Sequence, residues 1–115
     1  MKPRASLRRL VAPQGAQDSL QALTEAVASL SGSAEVRAFL EDLCTPAELE
    51  AMADRWRVVP LLLEGVPYRE IHDRTQVSTT TVTRVARSLE RGAGGYQAAA
   101  ERMRKPRARG NGKRA

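Results

Sequence analysis

Hydroxyl and guanidinium side chains crowd one stretch of this chain. From Tyr68 to Leu89 it reads Tyr-Arg-Glu-Ile-His-Asp-Arg-Thr-Gln-Val-Ser-Thr-Thr-Thr-Val-Thr-Arg-Val-Ala-Arg-Ser-Leu. Ser78, Thr79, Thr80, Thr81, Thr83, Arg84 and Arg87 are groups that recognise polar edges, and no base or acid beside them suggests bond-breaking. Threonine suits a DNA groove, because its hydroxyl can bond a base edge while its methyl meets the thymine methyl. Arginine reaches a phosphate or pairs with guanine, and Arg69, earlier in the run, is placed to hold the backbone.

The elements that must position these groups follow from spacing. Val82, Val85, Ala86 and Leu89 share one helical face, and Thr79, Thr80, Thr83, Arg84 and Arg87 lie opposite. The sequence therefore predicts a helix capped by Ser78 and running to about Arg91. Val77 and Ile71, the latter in a short helix begun by Pro67, would seat it. Two short helices joined by a tight turn, here about residues 67–91, form a helix-turn-helix, whose second helix lies in the major groove. Its first-turn N–H groups favour a nearby phosphate. Many such units carry glycine near the turn, where Gln76 stands here. If that position is left-handed, a side chain there costs about 1 kcal/mol or somewhat more.

Upstream, Leu20, Leu23, Val27 and Leu30 mark a helix with Asp18 as N-cap, broken at Ser31-Gly-Ser33. Val36, Phe39, Leu40 and Leu43 mark a second, capped by Ser33. Thr45-Pro46-Ala47-Glu48 opens a third, with an apolar face of Leu49, Met52, Ala53, Trp56, Val59 and Leu63. From Val58 to Leu63 this helix is apolar all round, which calls for cover by a second subunit. Pro60 should bend it, and Gly65 should terminate it. After a joint at Gly92, Gly94 and Gly95, a short helix from about Tyr96 to Met103 can pack back on the body. No strand pattern and no internal repeat appears, so the fold class is all-α.

Composition narrows the function. At 115 residues, with one Phe, one Trp and two Tyr, the chain holds one domain at most and an aliphatic core that dimerisation would enlarge. A single cysteine, Cys44, leaves no intrachain disulfide or multi-cysteine zinc site and fits a reducing cytoplasm. We read Cys44 as a small buried residue, Trp56 as core and His72 as a surface residue. No metal site, cofactor or catalytic set is expected, so the chain reads as a non-enzyme. Nothing resembles a membrane span or a signal peptide. The net charge of +6 is uneven: residues 1–15 carry four basic groups and no acid, 101–115 seven and one, and 16–100 eight and twelve. Residues 1–15 and 104–115, rich in Arg, Pro and Gly, read as a disordered basic arm and tail around a folded 16–103. Basic tails either lie on a polyanion, releasing counterions, or only aid solubility.

Phe39-Leu-Glu-Asp-Leu-Cys-Thr-Pro, the stretch Arg55 to Gly65, Tyr68-Arg-Glu-Ile, Ser78 to Leu89 and the pair Gly95-Tyr96 together resemble the Trp-repressor superfamily, and within it the YerC/YecD branch, over roughly residues 18–103. The resemblance implies an intertwined helical homodimer whose two helix-turn-helix heads reach successive major grooves of a roughly palindromic operator. In tryptophan-responsive members the amino acid lies between two arginines, matching Arg55 and Arg84, with polar groups matching Thr45, Thr81 and Ser88. The position after the second arginine is glycine in those members and Val85 here. Overpacking a tight site costs about 1–3 kcal/mol, so this possible pocket is expected to be vestigial, without a useful L-tryptophan response. Arg55 reads instead as a surface ion pair with Asp54, Glu48 or a neighbour.

The leading reading is a cytoplasmic, homodimeric transcription regulator that binds double-stranded DNA, with repression as the expected sign. The alternatives are a helical protein–protein adaptor, a non-specific DNA-binding protein, and a sigma-like promoter-contacting fragment, which would be monomeric. An adaptor would more often show an exposed apolar patch where this chain has threonine and arginine.

Overall fold

The computed structural model describes residues 15–104, and every regular element among them is a helix. They are α1 (Ala16–Ala28), α2 (Gly32–Leu43), α3 (Pro46–Leu63), α4 (Tyr68–Thr75), α5 (Thr79–Arg91) and α6 (Gly95–Arg104). The basic arm and tail expected at the two ends lie, apart from Gly15 and Arg104, outside the described residues. Among the described residues, 15–45 form one unit and 46–104 another.

In the first unit the two helices begin earlier than expected. Gly15, not Asp18, is the N-cap of α1, and Ser19 N–H closes the first turn on the Gly15 carbonyl at 2.7 Å. Asp18 sits inside that turn, where its charge meets the positive end of the helix dipole. Likewise Ser31, not Ser33, caps α2, and the Glu35 carboxylate accepts from Ser31 N–H at 2.8 Å. Neither helix buries a residue completely. Val36, Phe39, Leu40 and Cys44 are half-buried, while Leu20 is 61 % and Leu43 52 % exposed.

In the second unit the core is aliphatic, as the shortage of aromatics demanded. Val58 and Val59 of α3, Ile71 of α4, Val77 of the turn, and Val82 and Val85 of α5 are buried together. Trp56, Leu61, Leu62, Val66, Leu89, Tyr96 and Ala100 pack around them. Each fully buried aliphatic side chain contributes roughly 1.5–3 kcal/mol. The apolar run Val58–Leu63 is only partly covered within one chain, since Pro60 and Leu63 are exposed. α3 continues through Pro60 and ends in a Schellman motif: Val66 N–H donates to the Leu61 carbonyl and Gly65 N–H to the Leu62 carbonyl, each at 3.0 Å. Gly65, at φ +83°, supplies the left-handed residue that this ending needs. Pro67 precedes α4 as its N-cap rather than as its first helical residue. α6 packs on α3 and α5.

Candidate nucleic-acid interface

Three residues, Gln76 to Ser78, join α4 to α5. Gln76 is left-handed (φ 67°, ψ 8°), the only non-glycine residue with positive φ among those described. Its N–H donates to the His72 carbonyl at 2.7 Å, and its Nε2 donates to the Asp73 carbonyl at 3.0 Å. These local bonds offset a left-handed penalty of about 1–2 kcal/mol. Ser78 then caps α5, its Oγ accepting from Thr81 N–H at 3.1 Å and donating to Thr81 Oγ1 at 3.0 Å. Thr81 is half-buried and committed to the cap, whereas Thr79, Thr80 and Thr83 are exposed.

The buried face of α5, carrying Val82 and Val85 with half-buried Ala86 and Leu89, rests on the core. Opposite it, Thr80, Thr83, Arg84 and Arg87 form one exposed stripe at helical spacing. Arg91 extends that stripe by a turn, a residue that sequence reasoning passed over although its spacing of four from Arg87 gives it the same face. The ion pairs within these helices are Arg37–Glu41 (3.0 Å), Arg57–Asp54 (3.7 Å) and Arg74–Glu70 (3.4 Å). Among the described residues, Arg69, Arg84 and Arg87 are exposed and held by no carboxylate, so their guanidinium groups are open to phosphate or guanine. No group of three or more His, Cys, Asp or Glu able to hold a metal ion occurs among the described residues.

This arrangement meets its relatives in known proteins. The family described as Trp repressor protein matches residues 18–104. The chain belongs to the Trp repressor family. The uncharacterized protein YerC of Bacillus subtilis (strain 168) is 36 % identical over 85 residues, covering 74 % of this chain and 82 % of YerC. A crystal structure of a candidate Trp repressor from Staphylococcus aureus superposes with a TM-score of 0.69 at 33 % identity, covering 78 % of this chain and 88 % of that one. The all-α, Trp-repressor-like fold is thereby established, within a family of helical DNA-binding regulators rather than enzymes. No helix among the described residues is long and apolar enough to cross a membrane.

The residues that match the family's amino-acid pocket fall on α3, on α5 and at the end of the first unit. Val85 is 1 % exposed and lies within the core. Arg84 and Ser88 are exposed on α5, and Arg55 is half-buried on α3. Asp54 pairs with Arg57 and not with Arg55, which forms no ion pair among the described residues. The helix places Asp54 and Arg57 three apart, a spacing that brings side chains together, whereas adjacent residues diverge by about 100°. Thr45 ends the first unit, immediately before α3. His72 is not a surface residue either: it is half-buried, with Nδ1 2.8 Å from the Val77 carbonyl.

Proposed function

We propose that this Trp repressor family member is a homodimeric, sequence-specific transcription regulator, a repressor by the precedent of its family, acting in the cytoplasm. It binds a roughly palindromic operator through paired helix-turn-helix heads, without a cofactor. The observation that carries this reading is the exposed stripe of Thr80, Thr83, Arg84 and Arg87, free of carboxylates and opposite a buried valine face. Thr79, Thr80 and Thr83 read base edges; Arg69, Arg84 and Arg87 hold phosphate or guanine; Ser78 and Thr81 fix the first turn and offer its N–H groups to the backbone. Dimerisation is supported by the exposed apolar side chains of a first unit that completes no core of its own.

The test is Thr80→Ala on two duplexes, one selected by the protein from a random pool and one of scrambled sequence. Specific affinity should fall by about 1–3 kcal/mol, with binding to the scrambled duplex unchanged. Equal losses on both would remove Thr80 from sequence readout.

A further inference from the structure

Base readout accounts for the exposed face of α5 but leaves unexplained how a turn without glycine fixes that helix. Val77 stands between left-handed Gln76 and the cap Ser78, and it is 4 % exposed. Its N–H donates to Thr75 Oγ1 at 3.1 Å, and that hydroxyl donates to the Ile71 carbonyl at 2.7 Å. Its carbonyl lies 2.8 Å from His72 Nδ1. A carbonyl only accepts, so Nδ1 must carry the proton, in the imidazolium or in the Nδ1–H tautomer. Both main-chain groups of Val77 are thus held by side chains of α4. Thr75 is a buried polar residue whose hydroxyl ties the turn at Val77 back to the α4 carbonyl of Ile71.

Fixing Val77 on both sides fixes the direction in which the chain enters Ser78 and α5. We propose that His72 is a positioning residue for base readout: its Nδ1–H clamps the Val77 carbonyl and sets the angle at which Thr80 and Thr83 meet the groove. His72 itself need touch no DNA. The proposal rests on α5 being the recognition helix. Without the clamp a buried carbonyl loses its partner, and the turn relaxes into a set of orientations of which only some place α5 productively.

Binding of the wild type, H72L, H72N and H72Q to the selected and the scrambled duplex tests this, at a temperature where circular dichroism shows each variant fully folded. H72L should lose about tenfold on the selected duplex and nothing on the scrambled one. H72N, whose Nδ2–H falls close to the place of Nδ1–H, should recover most of that loss. H72Q, whose amide reaches as far as Nε2, should not. An unchanged ratio of the two affinities in H72L and H72Q overturns the proposal, and should H72L fail to fold, H72Q against H72N still decides it. Nitrogen-15 NMR of the wild-type ring is the independent arm. A proton on Nδ1 is expected; a neutral ring with a bare Nδ1 facing Val77 overturns the clamp whatever the DNA result. A wild type that selects no duplex removes the recognition-helix reading and the positioning role with it, and Nδ1 protonation then shows that the reading failed while the clamp exists.

Discussion

Gln76 and Val85 are the two side chains that depart most from what their positions would suggest. Gln76 holds a left-handed backbone that glycine adopts freely. Gln76→Gly should relieve about 1–2 kcal/mol of left-handed strain and lose about 0.5–1 kcal/mol to the greater freedom of the unfolded chain. The variant also loses the Gln76 Nε2–Asp73 bond, worth about 0.5–1.5 kcal/mol. A urea titration should therefore show a change within about 0.5 kcal/mol of zero, and a clear gain would mean that the strain outweighs the bond. Val85 is packed among Val58, Val59, Ile71, Val77 and Val82, so its methyl groups fill core space. In the second unit Val85 is 1 % exposed, so the side chain that replaces the glycine of tryptophan-responsive members is locked in place by its neighbours. Calorimetry with L-tryptophan should accordingly show no binding in the micromolar range; a micromolar constant would show that the pocket persists.

The helices differ in how far the sequence announced them. α3 and α5 were legible because their signals are local: Pro46 opens one, Ser78 caps the other, and the valine face of α5 repeats at helical spacing. The starts of α1 and α2 were not. Three serines crowd positions 29, 31 and 33, and which of them caps depends on backbone angles rather than on side-chain type. His72 was misread for another reason: its partner is a carbonyl five residues on, across a turn whose shape no periodicity encodes. The exposed face of Thr80, Thr83, Arg84 and Arg87 was legible from helical spacing, Arg91 on the same face was passed over, and the pairing of Asp54 with Arg57 was not foreseen. Ile71 joins the elements, fully buried between α3, the turn and α5. Ile71→Ala should destabilise the protein by about 2–5 kcal/mol, read as a lower urea midpoint at unchanged slope. A loss under about 1 kcal/mol would mean that the site collapses around the smaller side chain and that the core is less tightly specified than its burial suggests.

At the scale of the whole molecule, charge and exposed apolar surface each suit one of the two partners of the proposed function. The acidic middle of the chain between strongly basic ends suits a polyanion reached through its ends and through the arginines of α5, with each phosphate contact adding to salt dependence. Exposed Leu20, Leu43 and Leu63 suit a second copy, which would enlarge a core that one chain leaves unfinished. Two copies related by a twofold axis would carry two recognition helices, so symmetry should appear in the DNA as well as in the protein. Selection of fragmented genomic DNA by the purified full chain, followed by sequencing, tests that claim most directly. A twofold dimer should enrich one motif, roughly palindromic, with half-sites about one helical turn (~10 base pairs) apart. Retained fragments that share no motif, or a motif with a single half-site, would contradict it.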